Sequence, residues 1–380
     1  MIEICSKGKC TGCGLCTNIC AHHAITMQID MQCNGHLFPK IDIEKCVDCG
    51  LCISKCPQNK SQDKKRFPPI CTYAAWNKDH NIHWQCTSGG VAFTLGKYII
   101  EQEHGVVYAS VLDYDPLVVH HVRIDNLHRL EDSKCSKYVQ STIDATLFTS
   151  LKNDLKAGKN VLFVGTPCQV DAVRSAVGNL DTTHLLLVDI ICHGVPSLKS
   201  LSDYIKERGE QEVFDLSFRG EGGGHTGMKI NCKSIGIKDC WYYIGFLKGL
   251  YYRPSCYQCL YADKKRVGDI TLGDFWGIGR LKKMDNSLRK DGVNVVFVNS
   301  VQGRKYMSAI SASIDYEERS LDEAVNGNKQ LRFASKRHFN YYFFQMLYPK
   351  IGFMAASRMC LFLDKLFYSV VVPLMAKIKR

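Results

Sequence analysis

The chain has no G-x-x-x-x-G-K-[ST] loop, and no G-x-G-x-x-G stands between a strand and a helix. The P-loop and the Rossmann NAD or FAD fingerprint are therefore absent. No apolar run reaches the roughly twenty residues of a membrane span. The longest uncharged stretch near the C-terminus, Leu366 to Ala376, is eleven residues and contains Pro373. No secretory leader is visible, since Met1 is followed by Glu3 and then by cysteines. Low-complexity tracts are missing too, so 380 residues suggest two or three packed domains. Basic charge is unevenly spread. The formal net charge is +12, yet residues 1–60 hold six Lys against five acidic residues, while residues 331–380 hold nine Lys or Arg against Asp364 alone. A tail property of this kind argues against a nucleic-acid-binding face.

Cysteine is abundant, with twenty in all. Eight fall into two copies of one pattern, C-x2-C-x2-C-x3-C. The first copy is Cys10, Cys13, Cys16 and Cys20; the second is Cys46, Cys49, Cys52 and Cys56, each 36 positions later. Pro57 follows the second copy where Ala21 follows the first. This is the ligand run of a two-cluster bacterial ferredoxin, in which the distal cysteine of each run serves the other cluster. Cys10, Cys13, Cys16 and Cys56 are thus expected on one 4Fe-4S cluster, and Cys46, Cys49, Cys52 and Cys20 on the second. Gly12, Gly14 and Gly50 relieve crowding where amides point at sulfur. Zinc knuckles or a disulfide framework are the competing readings, but zinc pairs are usually well separated. Clusters need thiolates, so a reducing, cytoplasmic setting is expected.

Ser61 to Pro69 has the composition of a linker. Beyond it, strand-like and helix-like segments alternate. Val106–Val111, Val118–Ile124, Asn160–Val164, Leu185–Cys192 and Asn294–Val298 read as strands; 143–157, a run to Val177, 197–209 and 303–310 read as helices. Such alternation predicts a parallel sheet covered by helices. Residues 215–245 read as Gly-rich and β-like.

Gly165-Thr166-Pro167-Cys168-Gln169 sits at a strand end and opens a helix, where free amides favour an anion. Thr87-Ser88-Gly89-Gly90 offers a second phosphate cradle, or a plain helix cap. Cys256 and Cys259 form a further CxxC. With Cys168 and Cys192, both at expected strand C-termini, they would supply four thiolates for a third cluster; buried ordinary thiols are the alternative. His193 reads as structural. Cys5, Cys33, Cys71, Cys86, Cys135, Cys232, Cys240 and Cys360 fit no ligand pattern.

The strings CTSGGVAFTL (86–95), SKYVQS (136–141), VLFVGTPCQVDAV (161–173), VDIICHGVPS (188–197), RPSCYQC (253–259) and GDITLGDFWGI (268–278) occur in order. Together they resemble the coenzyme F420 hydrogenase/dehydrogenase beta-subunit family of iron–sulfur flavoproteins. The resemblance implies an α+β ferredoxin-like module (1–60), an α/β domain (70–330) binding FAD without a Rossmann fingerprint beside a third 4Fe-4S cluster, and a basic, apolar helical tail (331–380). It makes Ser88, Gly89, Gly90, Lys137, Tyr138 and Thr166 flavin contacts. The implied activity is that of an oxidoreductase passing electrons between clusters and FAD, and hydride between FAD and an organic substrate. Relatives act on deazaflavin coenzyme or chlorophyll-type pigments, and no deazaflavin-specific motif is present. An electron-carrier protein serving a redox partner, with no substrate of its own, is the alternative. For the tail, a helical cap buried on the large domain competes with an amphipathic segment touching a membrane surface or a partner.

Overall fold

The computed structural model describes residues 3–60, 66–219, 227–284 and 291–371. In the N-terminal module each cysteine run turns into a short helix, α1 (Leu15–Ile19) or α2 (Leu51–Ser54), and β1 (Ile25–Asp30) pairs antiparallel with β2 (His36–Ile41). Each helix is entered through a left-handed glycine, Gly14 (φ 75°) or Gly50 (φ 67°). Gly14 is needed twice over. A Cβ there would stand 2.5 Å from the Ile143 carbonyl oxygen of the large domain.

The large domain begins with β3 (Cys71–Asn77), α3 (His80–Gln85), α4 (Val91–Glu101), β4 (Val106–Tyr114), β5 (Leu117–Ile124), α5 (Leu127–Glu131) and α6 (Ala145–Lys156). It continues through β6 (Val161–Gly165), α7 (Pro167–Val177), β7 (Leu185–Ile190) and α8 (Leu198–Glu207). Three short strands, β8 (Leu216–Ser217), β9 (Gly227–Ile230) and β10 (Lys233–Gly236), precede α9 (Trp241–Lys248), and β11 (Ile270–Asp274), β12 (Asn294–Val298) and β13 (Ile314–Glu318) follow.

The principal sheet is mixed, not parallel as the alternation predicts. Its order is β13-β3-β12-β11-β7-β6-β4-β5. Only β4, β6, β7 and β11 run parallel. The outer strands are antiparallel because β4 and β5 are joined by residues 115–116 alone, too short for a crossover, and because β12, β3 and β13 pair in reversed register. A second correction concerns residues 215–245. The strand reading fails at Trp241, where an aromatic run with high β propensity forms α9 instead. Trp241 to Phe246 are all buried, so tertiary burial overrides the local preference. Of the linker, residues 61–65 lie outside the described residues, as do 220–226 of the Gly-rich stretch.

Val91, Leu95 and Ile99 of α4 cover one face of the sheet with Tyr306 and Met307; α6 and α7 cover the other. A second core joins α8, α9 and the tail. The tail helices Tyr341–Ile351 and Phe353–Leu366 bury Phe344, Tyr348, Phe353 and Leu361 there, and Phe353 meets Tyr251 edge-on at 5.3 Å. The structure therefore places the inner face of the tail as a cap. Its outer face exposes Tyr342, Met346, Phe362 and Leu363. Lys377, Lys379 and Arg380 lie outside the described residues. No helix among the described residues is long and apolar enough to cross a membrane.

Candidate functional site

The C-terminal ends of β6, β7 and β11 open into one cavity of about 560 Å³. Crevices at such strand ends are where open α/β sheets bind ligands. After β6 come Thr166 and Cys168, after β7 Cys192 and His193, after β11 Trp276, and from the turn Pro254–Gln258 and its end Cys256 and Cys259; all line the cavity. Across it lie Ser88 and Gly90, from the turn before α4, and Lys137 and Tyr138.

The four thiols Cys168, Cys192, Cys256 and Cys259 converge from three chain segments. Burial pushes Cys168 and Cys192 up to about 12 and raises Cys256 and Cys259, with neighbouring thiols of the set adding to the rise at Cys168, Cys192 and Cys256. Such a nest is costly as free thiolates, and a bound cation would reverse that cost. Among the described residues no three His, Cys, Asp or Glu side chains could hold a single metal ion. Four thiols are the ligand complement of one 4Fe-4S cluster.

The two phosphate turns differ from expectation in opposite ways. At the β6–α7 turn most amides are already engaged. Pro167 has none, Thr166 N–H donates to Gln169 Oε1 (3.0 Å), and Gln169 N–H donates to Thr166 O (2.9 Å). The capping box that starts α7 uses up the donors an anion would need. At the other turn, Gly90 caps α4 in left-handed conformation (φ 76°), and Ser88, which lines the cavity, has its Oγ buried with no hydrogen-bond partner. An orphan hydroxyl of this kind fits a polar ligand atom. Gly89 faces away from the cavity lining. A Cβ on it would stand 2.1 Å from Ala75 O, so its role is close packing on β3. Lys137 is half-buried, its ammonium held by the carbonyls of Lys134 (2.8 Å) and Asp132 (3.0 Å), and desolvation lowers it to about 8. Tyr138 stacks on Phe246 at 4.3 Å, and its hydroxyl accepts from Arg219 Nε.

Sequence reasoning misses Arg219, Asp274 and Arg253. Arg219 and Asp274 form a buried ion pair at the cavity wall. Asp274 ends β11 inside the quoted GDITLGDFWGI string, so a signal existed; Arg219 has none. Arg253 is fully buried at the seam between the modules. It donates to Cys10 O (2.6 Å), Leu37 O (2.8 Å) and Gln140 Oε1 (3.2 Å), and lies 4.2 Å from the Phe38 ring centroid.

The two ferredoxin-type sets also separate in space. Cys10, Cys13, Cys16 and Cys56 influence one another's thiols, and Cys13 packs into the core that includes Leu15, Val170 and Tyr261, beside Cys168. Cys20, Cys46, Cys49 and Cys52 line a small outer hollow. Gln58 crosses the seam to the Tyr261 hydroxyl (2.9 Å), which donates to Asp171.

Residues 158–324 match the family described as the C terminus of the coenzyme F420 hydrogenase/dehydrogenase beta subunit, and residues 9–60 match the 4Fe-4S dicluster domain. Among solved structures, the chain is similar to one in the xenon-derivatised F420-reducing NiFe hydrogenase complex from Methanosarcina barkeri. The identity is 18%, covering 70% of this chain and 91% of that one, with a TM-score of 0.49. No curated protein matches the chain.

Proposed function

Because the chain belongs, over residues 158–324, to the coenzyme F420 hydrogenase/dehydrogenase beta-subunit family behind a 4Fe-4S dicluster domain, we propose that it is an iron–sulfur flavoprotein oxidoreductase. It would hold three 4Fe-4S clusters, on Cys10/Cys13/Cys16/Cys56, Cys20/Cys46/Cys49/Cys52 and Cys168/Cys192/Cys256/Cys259, with FAD in the cavity. The observation that carries the reading is the shared wall. One cavity is lined by Ser88, Tyr138 and the four converging thiols together, with Cys13 packed beside Cys168. FAD supplies the exchange of hydride with an organic substrate, a deazaflavin such as coenzyme F420 or another, and of single electrons with clusters.

The chain's own residues have separate tasks. Ser88 Oγ offers a hydrogen bond to the ligand. Tyr138, braced by Phe246 and Arg219, gives a flat aromatic wall. Leu272, Val107 and Ala109 keep one side dry. His193 is lowered by burial, so its ring is neutral and can accept a proton at a ring nitrogen. The open setting of the outer cysteine set fits electron exchange with a partner protein.

Cofactor content tests the proposal. Protein purified without oxygen is expected to hold about twelve irons, four per cubane, with equimolar sulfide and one flavin. Clusters without flavin would leave an electron carrier. Gly89→Ala is the sharper probe, because its methyl meets the Ala75 carbonyl and displaces the Ser88 turn. Most of the flavin should be lost and the iron retained; full flavin in that variant refutes the placement.

A further inference from the structure

Two cysteines outside the ligand sets line the cavity on adjoining loops. Cys86 ends α3, directly before the Thr87–Gly90 turn, and is buried; Cys135 directly precedes Ser136, Lys137 and Tyr138 and is exposed. Both line the cavity. The Cys135 thiol donates to the Gln85 carbonyl at 3.1 Å, the peptide group that leads into Cys86. The Cys86 sulfur lies against Gly90, where a Cβ would be 3.4 Å from it. Ser136 N–H donates to Thr87 Oγ1 (2.6 Å), so the two loops are already joined by a hydrogen bond one residue beyond the cysteines. Lys134 adds a second tie, Nζ to Gln85 Oε1 at 2.8 Å. Cys135 also has φ 66°, a left-handed conformation uncommon for a residue with a side chain.

We propose that Cys86 and Cys135 are a reversible dithiol–disulfide pair that staples the two loops of the cavity in response to small-molecule disulfides. An accessible thiol beside a second, covered thiol is the arrangement of a redox sensor. The exchange balances as follows. The Cys135 thiolate attacks the small disulfide, forms a mixed disulfide and releases one thiolate. The Cys86 thiolate then attacks the Cys135 sulfur and releases the second. Two protein thiols lose two protons and two electrons, and one small disulfide becomes two thiols. Burial pushes Cys86 up to about 12, with the charge of Cys135 adding and those of Lys134 and Lys137 opposing, so Cys135 is the group that attacks first and Cys86 the one that resolves. Closure joins the turn carrying Ser88 and Gly90 to the loop carrying Lys137 and Tyr138. If the cavity holds flavin, as proposed above, the staple slows its release.

The test uses holoprotein purified without oxygen and treated with oxidised glutathione, then alkylated, digested and analysed by mass spectrometry. A peptide pair joined through Cys86 and Cys135, reversed by dithiothreitol and formed with iron content unchanged, is expected. In Cys86→Ser, glutathione should instead remain on Cys135. A wild-type protein that carries stable glutathione on Cys135 without the cross-link, or whose Cys135 stays fully alkylable, overturns the proposal. The cross-link needs no flavin. A flavin-free preparation that still cross-links supports the pair and removes only the flavin reading.

Discussion

Cys13 and Cys49 hold the same place in two copies of one motif, and the fold treats them in opposite ways. Cys13 is packed against the large domain beside Cys168, and burial pushes its thiol up to about 12. Cys49 is exposed, in a neighbourhood that also exposes Ile43, Val47 and Leu51. The spacing of a ligand run states which residues can bind a cluster and says nothing about where that cluster faces. Burial and hydrogen bonds to sulfur, the levers that set cluster potential, belong to the surroundings. The inner set receives Arg253, whose guanidinium reaches Cys10 Sγ at 3.4 Å. On the function proposed above, the inner cluster would relay electrons toward the cavity and the outer one would exchange them with a partner.

The largest expected effect comes from breaking each copy in turn. Cys13→Ser and Cys49→Ser should each remove one cluster, about four irons. Only Cys13→Ser also leaves a gap at the seam between the modules, because ligand loss there couples to docking. Its melting temperature should therefore fall further than that of Cys49→Ser. Anaerobic thermal unfolding beside an iron assay measures both. Equal falls in stability would erase the distinction between the copies.

That distinction was not legible in the sequence, and the reason is physical. Ligand spacing is local and survives any tertiary arrangement, so the eight ferredoxin-type cysteines stand out unaided. Strand–helix alternation is nearly local, and β6, α7, β7 and α8 lie within a few residues of expectation. Pairing direction is not local. β3 and β11 meet β12 across more than a hundred residues or through loops, so the mixed sheet stayed hidden, and β3, β11 and β13 were not read as strands at all. The site divides the same way. Cys168, Cys192, Cys256 and Cys259 were assembled from strand-end positions and one CxxC, whereas Arg219 carries no motif, and Arg253, although it opens the RPSCYQC string, gains its role from burial. At the β6–α7 turn a sequence displays amides without showing that Gln169 has already claimed one.

Arg253→Gln sharpens the comparison from the other side. It keeps every cysteine and removes the charge and the fork that tie Cys10, Leu37 and Gln140 together. Buried acceptors then lose a charged donor, for a cost of about 3 kcal/mol. Arg253→Lys should recover part of it, since a lysine restores charge without the planar fork. Limited proteolysis of Arg253→Gln should become faster, and iron should be lost from the inner set first. Unchanged stability and unchanged cutting would mean that Arg253 does not hold the modules together.

The smallest effect is a pH dependence confined to the inner side. His36 is fully buried at the seam, with Nδ1 3.3 Å from Gln140 Oε1. Burial, and then the charge of Arg253, lower it from 6.5 to about 3. The folded chain therefore keeps this ring neutral where the unfolded chain protonates it. Below pH 6.5 the unfolded state binds the extra proton, so stability falls as pH falls, and the loss levels off only near pH 3. Between pH 7 and pH 5.5 the expected loss from this one ring is about 1.3 kcal/mol. His36→Gln removes the titration while keeping a polar group beside Gln140. The difference between wild type and variant, followed by thermal unfolding across that window, isolates it from acid damage to the clusters, which both proteins share. If wild type and His36→Gln lose stability in parallel, the ring is reached by water and the seam is looser than its contacts imply.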